Sequence, residues 1–220
     1  MSKINCTRKG CKDVFNAFLV SKAKYAGVFE IPCIESCNEV PKRIISFSKA
    51  ISSKDYEQWV HFYEDDHLFE RLWNNPRKYL PTLEKFQGVI LPDFSLYRDM
   101  PLVMQLWNIY RSRAIGHWLQ ANGVKIIPNI RFGDQRTYRI CCFGIEKHSV
   151  ISIGSHGNLK NRMDREIFLK GVDRIIKILE PRVLIVYGSA PDKYFNQYKD
   201  IGIKIIQFDS NFAISHKEVV

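Results

Sequence analysis

Five short apolar runs rich in valine and isoleucine recur between residues 88 and 210, and a polar cluster follows each of them. The runs are Val89-Ile90-Leu91, Val124-Lys125-Ile126-Ile127, Val150-Ile151-Ser152-Ile153, Val183-Leu184-Ile185-Val186 and Ile203-Lys204-Ile205-Ile206. Predicted helices separate most of the runs, the longest over residues 101–121 and 163–179. Strands that alternate with helices of this length form parallel sheets, because a parallel pair needs a long crossover connection. The pattern therefore predicts an α/β fold.

Two further strands are predicted upstream, at residues 28–32 and 43–48, and a helix is predicted over residues 55–73. The middles of all seven candidate strands are continuously apolar, which is typical of strands buried on both faces. We therefore expect a parallel (β/α) barrel-like fold, TIM-like or lacking a unit. The alternative is an open doubly wound sheet. Its dinucleotide-binding form is disfavoured, because neither a G-x-G-x-x-G motif nor a phosphate-binding P-loop motif occurs in the chain.

The length and composition predict one folded domain over residues 27–212, with an N-terminal extension at 1–26 and a C-terminal tail at 213–220. The chain has 220 residues, of which 45% are hydrophobic, as in ordinary globular domains. No stretch approaches the roughly 18 consecutive apolar residues of a membrane span, and the first residues lack the apolar core of a signal peptide. We expect a cytoplasmic protein without a membrane partner.

The cysteines allow two interpretations. Cys6, Cys11, Cys33 and Cys37 could together supply four thiolates to a zinc ion, although their spacings are looser than those of zinc ribbons. The alternative is a set of free thiols in a reducing compartment. The sequence favours the second interpretation.

The chain is strongly basic, with 33 Lys and Arg against 23 Asp and Glu and a formal net charge of +10. A basic surface attracts polyanions through counterion release, so nucleic acid or a nucleotide is an expected partner. The alternative is a generic basic surface, because the positive charges are spread along the chain and no nucleic-acid-binding motif is found.

Polar residues follow the predicted strands at the edge where parallel strands end, which is where α/β proteins keep their sites. Two carboxylates can divide general acid and base work, a guanidinium can neutralise a phosphate, and a histidine can transfer protons near neutral pH. The predicted catalytic residues are Asp93, Arg131, His156 and Asp209, and the predicted substrate-binding residues are Ser95, Asn129, Asp134, Ser155 and Tyr187.

Each candidate also has a structural interpretation. Asp93 and Asp209 could accept hydrogen bonds from turn or helix-cap amides, and Arg131 could form a local ion pair with Asp134. His156 could be present because it tolerates a positive φ. The sequence leaves the cofactors unknown, although a divalent cation such as Mg²⁺ would suit carboxylates at strand ends.

Several segments together resemble the uncharacterised domain of unknown function 4417. The matching segments are Leu91-Pro92-Asp93-Phe94-Ser95, Ile127-Pro128-Asn129-Ile130-Arg131-Phe132-Gly133-Asp134, Gly154-Ser155-His156-Gly157 and Val186-Tyr187-Gly188, and the likeness covers about residues 27–210. The family occurs on phages, prophages and plasmids, so the resemblance implies a mobile-element protein in the cytoplasm of a bacterial host. It implies no established activity.

Two functions from different classes are consistent with the sequence. The first is a hydrolase or transferase that cleaves a phosphoester or glycosidic bond in a nucleotide or nucleic acid. The second is a non-catalytic module that binds nucleic acid or a host protein, as a counter-defence or replication accessory factor. A protein that sequesters a nucleotide would keep the pocket of the first without its turnover.

Overall fold

The computed structural model describes residues 13–211 and 213 of the chain and contains nine strands and six α-helices. Two of the four candidate zinc ligands, Cys6 and Cys11, lie outside the described residues, as does most of the predicted tail. The strands are β1 Tyr25–Ala26, β2 Ile31–Pro32, β3 Ile44–Ser46, β4 Trp59–His61, β5 Gly88–Ile90, β6 Ile126–Ile127, β7 Val150–Gly154, β8 Val183–Tyr187 and β9 Lys204–Phe208. The helices are α1 Phe47–Ala50, α2 Asp66–Asn74, α3 Pro76–Leu83, α4 Leu102–Ala121, α5 Arg162–Leu179 and α6 Asp192–Asp200, and two 3-10 helices cover Ala17–Val20 and Ile140–Cys142.

The predicted α/β fold with parallel strands is confirmed. Strands β3, β4, β5 and β6 form one parallel sheet in that order, and β7, β8 and β9 form a second. Between the two sheets, the Ile130 amide donates to the Ser152 carbonyl and the Ser152 amide donates to the Pro128 carbonyl, both at 2.8 Å. The strands from β3 to β9 therefore lie side by side in chain order.

The arrangement is not a closed barrel. Within residues 13–211, no hydrogen-bonded ladder joins β3 to β9, so the TIM-like form of the prediction is not confirmed. Side chains from the strands nevertheless share one apolar cluster. Its buried members include Trp59, Ile90, Ile127, Val150 and Ile185, and Ile44 of β3 and Ile206 of β9 pack against it.

Strand β4 was not predicted, and the predicted helix over residues 55–73 is wrong in its first half. Trp59 pairs with Ile44 on one side and with Gly88 on the other, so the segment lies inside the sheet. Gly88 leaves room for the Trp59 ring, since a Cβ there would lie 2.4 Å from it. Tertiary pairing of an aromatic and β-branched run has overridden the helical spacing of its aromatic residues.

The predicted strand at residues 28–32 is reduced to β2, which pairs in antiparallel fashion with β1 rather than joining the parallel sheets. Val28 is exposed in the turn between them. The segment over residues 136–147 contains only the short 3-10 helix Ile140–Cys142. The long helices end close to their predicted limits. The N-cap residue Asn161 begins α5 by accepting a hydrogen bond from the Asp164 amide.

No helix in the part of the chain that the structure describes is both long and apolar enough to cross a membrane. Residues ahead of the parallel sheets contribute to the core, because Leu19 and Val20 are buried in the same cluster as Phe47 and Leu119. A second cluster packs α5 and α6 against β7 and β8.

Candidate functional site

A cavity of about 930 Å³ opens at the carboxyl ends of the parallel strands. Its walls come from the ends of six consecutive strands, β4 to β9, and include Tyr63, Asp93, Arg131, His156, Tyr187 and Ser210. Ligand sites for small molecules have volumes of about 300 to 1,000 Å³, so the cavity is large enough for a nucleotide. The ends of the strands therefore converge on one hollow.

Asp93 occupies the inner wall of the cavity and is held on both carboxylate oxygens. Asn129 donates from Nδ2 to Oδ1 at 2.7 Å, and Arg131 donates from Nη1 to Oδ2 at 3.0 Å. Asn129 and Arg131 are two residues apart in the extended segment after β6, so both side chains leave the same face. Burial raises the pKa of Asp93, Asp66 adds to the rise, and Arg131 and Asn129 oppose it.

Asn129 is in turn oriented by two buried hydroxyl groups. The Tyr63 hydroxyl donates to Asn129 Oδ1 at 2.9 Å and lies 2.5 Å from the Ser152 hydroxyl. Tyr63 has one proton to donate, so Ser152 donates to Tyr63. Burial raises the pKa of Tyr63 well above 10, and the phenol therefore stays protonated. Each hydrogen bond in this series is donated toward Asp93, so the Asp93 carboxylate is the final acceptor.

A layer of rings supports this network from the neighbouring strands. Tyr63 stacks on Tyr187 with 4.5 Å between ring centroids and 8° between planes. His61 lies 4.9 Å from the Tyr187 ring, and its Nδ1 accepts a hydrogen bond from the Tyr63 amide at 3.1 Å. Burial lowers the pKa of His61 to about 3, with a smaller contribution from Lys49. His61 is therefore neutral and carries its proton on Nε2.

Three more carboxylates, Glu64, Asp65 and Asp66, line the cavity between β4 and α2. Glu64 accepts hydrogen bonds from the amide and hydroxyl of Ser48, and Asp66 accepts from the amide and hydroxyl of Ser95. These bonds hold the segment after β4 against its neighbours. The three carboxylates also make this side of the cavity acidic, although the chain as a whole is basic.

The nine predicted site residues fall into two groups. Asp93, Arg131, His156, Ser95 and Tyr187 line the cavity, and Asn129 lies directly behind Asp93. The other three lie elsewhere: Ser155 is buried and donates to the Ser189 carbonyl, Asp134 forms an ion pair with Arg136, and Asp209 accepts from the Gln207 side chain. Asp209 immediately precedes Ser210, which does line the cavity.

Tyr63, His61 and Asp66 are not among the predicted site residues. The predicted helix over residues 55–73 accounts for Tyr63 as part of its apolar face and for His61 and Asp66 as ordinary polar residues of a helix. The signal that could have found them is the run Trp59-Val60-His61-Phe62-Tyr63, in which aromatic and β-branched residues are concentrated as in strands. Two-residue spacing then places His61 and Tyr63 on the face that carries Trp59.

The described residues do not form a metal-binding site. Across residues 13–211 and 213, no three His, Cys, Asp or Glu side chains lie close enough together to hold a metal ion. Cys33 and Cys37 are free thiols whose pKa values burial raises, so both are protonated. The Mg²⁺ and zinc alternatives therefore receive no structural support from this part of the chain.

Comparison with known proteins identifies the family of the chain. The sequence matches the domain of unknown function DUF4417 over residues 23–209, which includes every strand from β1 to β9. The chain belongs to this family. Among curated relatives, the Gene 1 protein of Mycobacterium phage L5 is 32% identical over 187 residues, covering 83% of this chain and 80% of that protein. The Gene 1 protein of Mycobacterium phage D29 is 30% identical over 186 residues, covering 83% and 68%.

No solved structure matches the chain. The family match and the two phage relatives confirm the resemblance to the DUF4417 family and its association with phage proteins of unknown function. Neither relative carries an activity in its name, so the comparisons add no reaction.

Proposed function

We propose that this DUF4417 protein is a hydrolase or transferase that acts on a nucleotide or nucleic acid at the cavity beside Asp93. The scaffold in this proposal is an incomplete barrel of seven parallel strands. Two observations support the barrel: the strands lie in chain order without a reversal, and side chains from β3 to β9 contribute to one interior cluster. Enzymes with barrels of this kind hold their sites at the carboxyl ends of the strands.

The observation that carries the proposal is the ordered chain of hydrogen bonds that ends on Asp93. A largely buried carboxylate with a raised pKa is suited to accept and return a proton, and such groups concentrate in active sites. Asn129 and Tyr63 would fix its orientation, and Arg131 would neutralise a phosphate of the substrate. Asp93 and Arg131 are therefore the assigned proton-transfer and anion-binding groups.

The test is product analysis after incubation with nucleoside mono- and triphosphates and short oligonucleotides. A free base among the products identifies glycosidic cleavage. A nucleoside formed from a nucleoside monophosphate, or shorter strands formed from an oligonucleotide, identify phosphoester cleavage, whereas inorganic phosphate or pyrophosphate released from a triphosphate shows cleavage of an anhydride bond and would not support the proposal. We expect Asp93→Asn to lower the rate by about 10²- to 10⁴-fold, the usual contribution of a general acid or base. The control is Asp192→Asn, which changes an exposed carboxylate paired with Lys199 on α6 and should keep the full rate.

Equal rates for Asp93→Asn and the control would contradict the role of Asp93. If the folded protein turns over none of the nucleotides and oligonucleotides, the enzymatic proposal is refuted.

The net charge of +10 supports a second candidate, a non-catalytic module that binds nucleic acid or an acidic host protein. Since the cavity wall between β4 and α2 is acidic, the basic residues that would hold a phosphate backbone lie mainly outside it. Binding through phosphate contacts should weaken steeply as salt is raised, because counterions are released on binding. An affinity for oligonucleotides that does not change between low and physiological salt would contradict this candidate.

A further inference from the structure

A second cavity of about 510 Å³ adjoins the first along the segment after β6. Three residues, Tyr97, Arg131 and Gly154, line both cavities. The two hollows therefore meet at Arg131. The proposed function uses only the larger one, so the smaller one has no assigned occupant.

Arg131 is positioned to hold an anion at this junction. Its Nη1 donates to Asp93, and its other N–H groups have no protein acceptor among the described residues. The side chain is 27% exposed, so these donors reach the space where the cavities meet. A guanidinium with several directed donors is suited to a phosphate, which offers matching oxygen atoms.

The surrounding charges select the kind of phosphate. Glu64, Asp65 and Asp66 line the larger cavity, and they repel a phosphate group with two charges more strongly than a phosphate group with one. In the smaller cavity, Arg98 is already neutralised by Asp164 at 2.6 Å. Arg131 is itself paired with Asp93 at 3.0 Å, so the junction has little net positive charge. A phosphate group of low charge suits such a junction best, and a phosphodiester has one charge whereas a terminal phosphate has nearly two.

Tyr97 supplies a ring at the same junction. Its side chain is 57% exposed, which is high for an aromatic residue that lines two cavities. Phe132 and Phe168, which stack with 5.9 Å between centroids, form part of the wall of the smaller cavity. Exposed aromatic rings beside a cationic group are the usual means by which proteins hold unpaired bases.

We propose that the two cavities are two subsites for one ligand, in which a single phosphodiester joins two nucleosides. The phosphate binds Arg131, one nucleoside enters each cavity, and one base stacks on Tyr97. This inference rests on the cavity of the proposed function and narrows its substrate to a dinucleotide unit. A free dinucleotide and a unit within a nucleic-acid strand share this chemistry.

Equilibrium binding by titration calorimetry tests the inference. The probes are a linear dinucleoside monophosphate, a cyclic dinucleotide, a longer single-stranded oligonucleotide, a nucleoside monophosphate and a nucleoside triphosphate. We expect the dinucleoside monophosphate to bind at least about tenfold more tightly than either mononucleotide, the equivalent of one stacking contact. Tighter binding of the oligonucleotide would identify a strand as the source of the unit, and tighter binding of the linear dinucleoside monophosphate would identify a free dinucleotide. The cyclic probe, which contains two phosphodiesters, should bind more weakly than the linear one, and tighter binding of the cyclic probe would contradict a single phosphodiester at Arg131.

Tyr97→Ala should weaken binding of the dinucleotide about fivefold to a hundredfold, while Tyr97→Phe, which keeps the ring, should bind like the parent. The matched control is Phe29→Ala, which removes a ring that is 42% exposed and lines neither cavity. Mononucleotides that bind as tightly as the dinucleotide, or a Tyr97→Ala protein with unchanged affinity, would overturn the two-subsite arrangement.

This result is separable from the test of the proposed function. Binding that depends on Tyr97 without any turnover would support the subsites and refute the enzyme. Turnover of mononucleotides that is insensitive to Tyr97→Ala would support the enzyme and refute the subsites.

Discussion

The hydrogen bonds behind Asp93 predict that Tyr63→Phe destabilises the protein through a single oxygen atom. The substitution keeps the ring and its stacking on Tyr187 but removes the hydroxyl that joins Asn129 to Ser152. No other hydrogen bond to Asn129 Oδ1 is found among the described residues, so this acceptor would be buried without a partner.

The expected loss in free energy of unfolding is about 2 kcal/mol, because an orphaned buried acceptor costs about 1 to 3 kcal/mol. For a chain of this length, that loss corresponds to a fall in melting temperature of about 4 to 8 °C. Urea denaturation followed by circular dichroism should show a lower midpoint with an unchanged m-value, since the packing and the surface exposed on unfolding stay the same.

A double-mutant cycle with Ser152→Ala separates this hydrogen bond from general damage. If the two hydroxyls are bonded, the double variant should lose less free energy than the sum of the single variants, with a coupling of about 1 kcal/mol. The control is Tyr194→Phe on α6, which should change stability by less than about 0.5 kcal/mol. A Tyr63→Phe protein as stable as this control, or strictly additive single variants, would refute the ordered network.

Three further predictions concern the same elements. Gly88→Ala should cost about 1 to 3 kcal/mol by overpacking the Trp59 ring, as measured by urea denaturation, and unchanged stability would contradict this packing. Because burial lowers the pKa of His61 to about 3, stability should fall by up to about 5 kcal/mol as the pH drops from about 6.5 to 3. His61→Gln should make the urea midpoint less dependent on pH; an equal dependence would show that His61 is not buried in its neutral form. Arg131→Gln should raise the pKa of Asp93 further in a carboxyl-carbon NMR titration, and an unchanged pKa would contradict the ion pair.

The regular half of the fold could be predicted from sequence because its signals are local. The helix predicted over residues 101–121 is Leu102–Ala121, and the one predicted over residues 163–179 is Arg162–Leu179. The strands after Gly88 are apolar runs bounded by polar residues. Strand β4 lacks this pattern, since its three residues include a polar histidine and its aromatic neighbours recur at helical spacing. Only pairing with β3 and β5, which are distant in sequence, makes it a strand.

The candidate site could be predicted only where its residues follow strands that were themselves predicted. Asp93, Asn129 and Arg131 follow strands that the sequence identified, and they form one hydrogen-bonded group. Tyr63 was missed together with β4, so the orientation of Asn129 had no visible cause in the sequence. Ser155 illustrates the opposite case, because its position after β7 is correct but its hydroxyl turns to the Ser189 carbonyl rather than to the cavity.

The position of the cavity follows from a change of polarity along the interior of four of the seven parallel strands, β3, β4, β6 and β7. Toward the amino ends of these strands, the interior positions are apolar: Ile44, Trp59, Ile127 and Val150. Two residues later in the same segments, the interior positions are polar and buried: Ser46, His61, Asn129 and Ser152. Steps of two keep a side chain on the same face of a strand, so each segment turns from apolar to polar within one step. Apolar side chains at one end exclude water and supply stability. The polar layer above them is costly to bury unless it is fully hydrogen-bonded, and Tyr63 and Asn129 supply bonds that end on Asp93. The raised pKa of Asp93 is therefore a consequence of where the interior changes from apolar to polar.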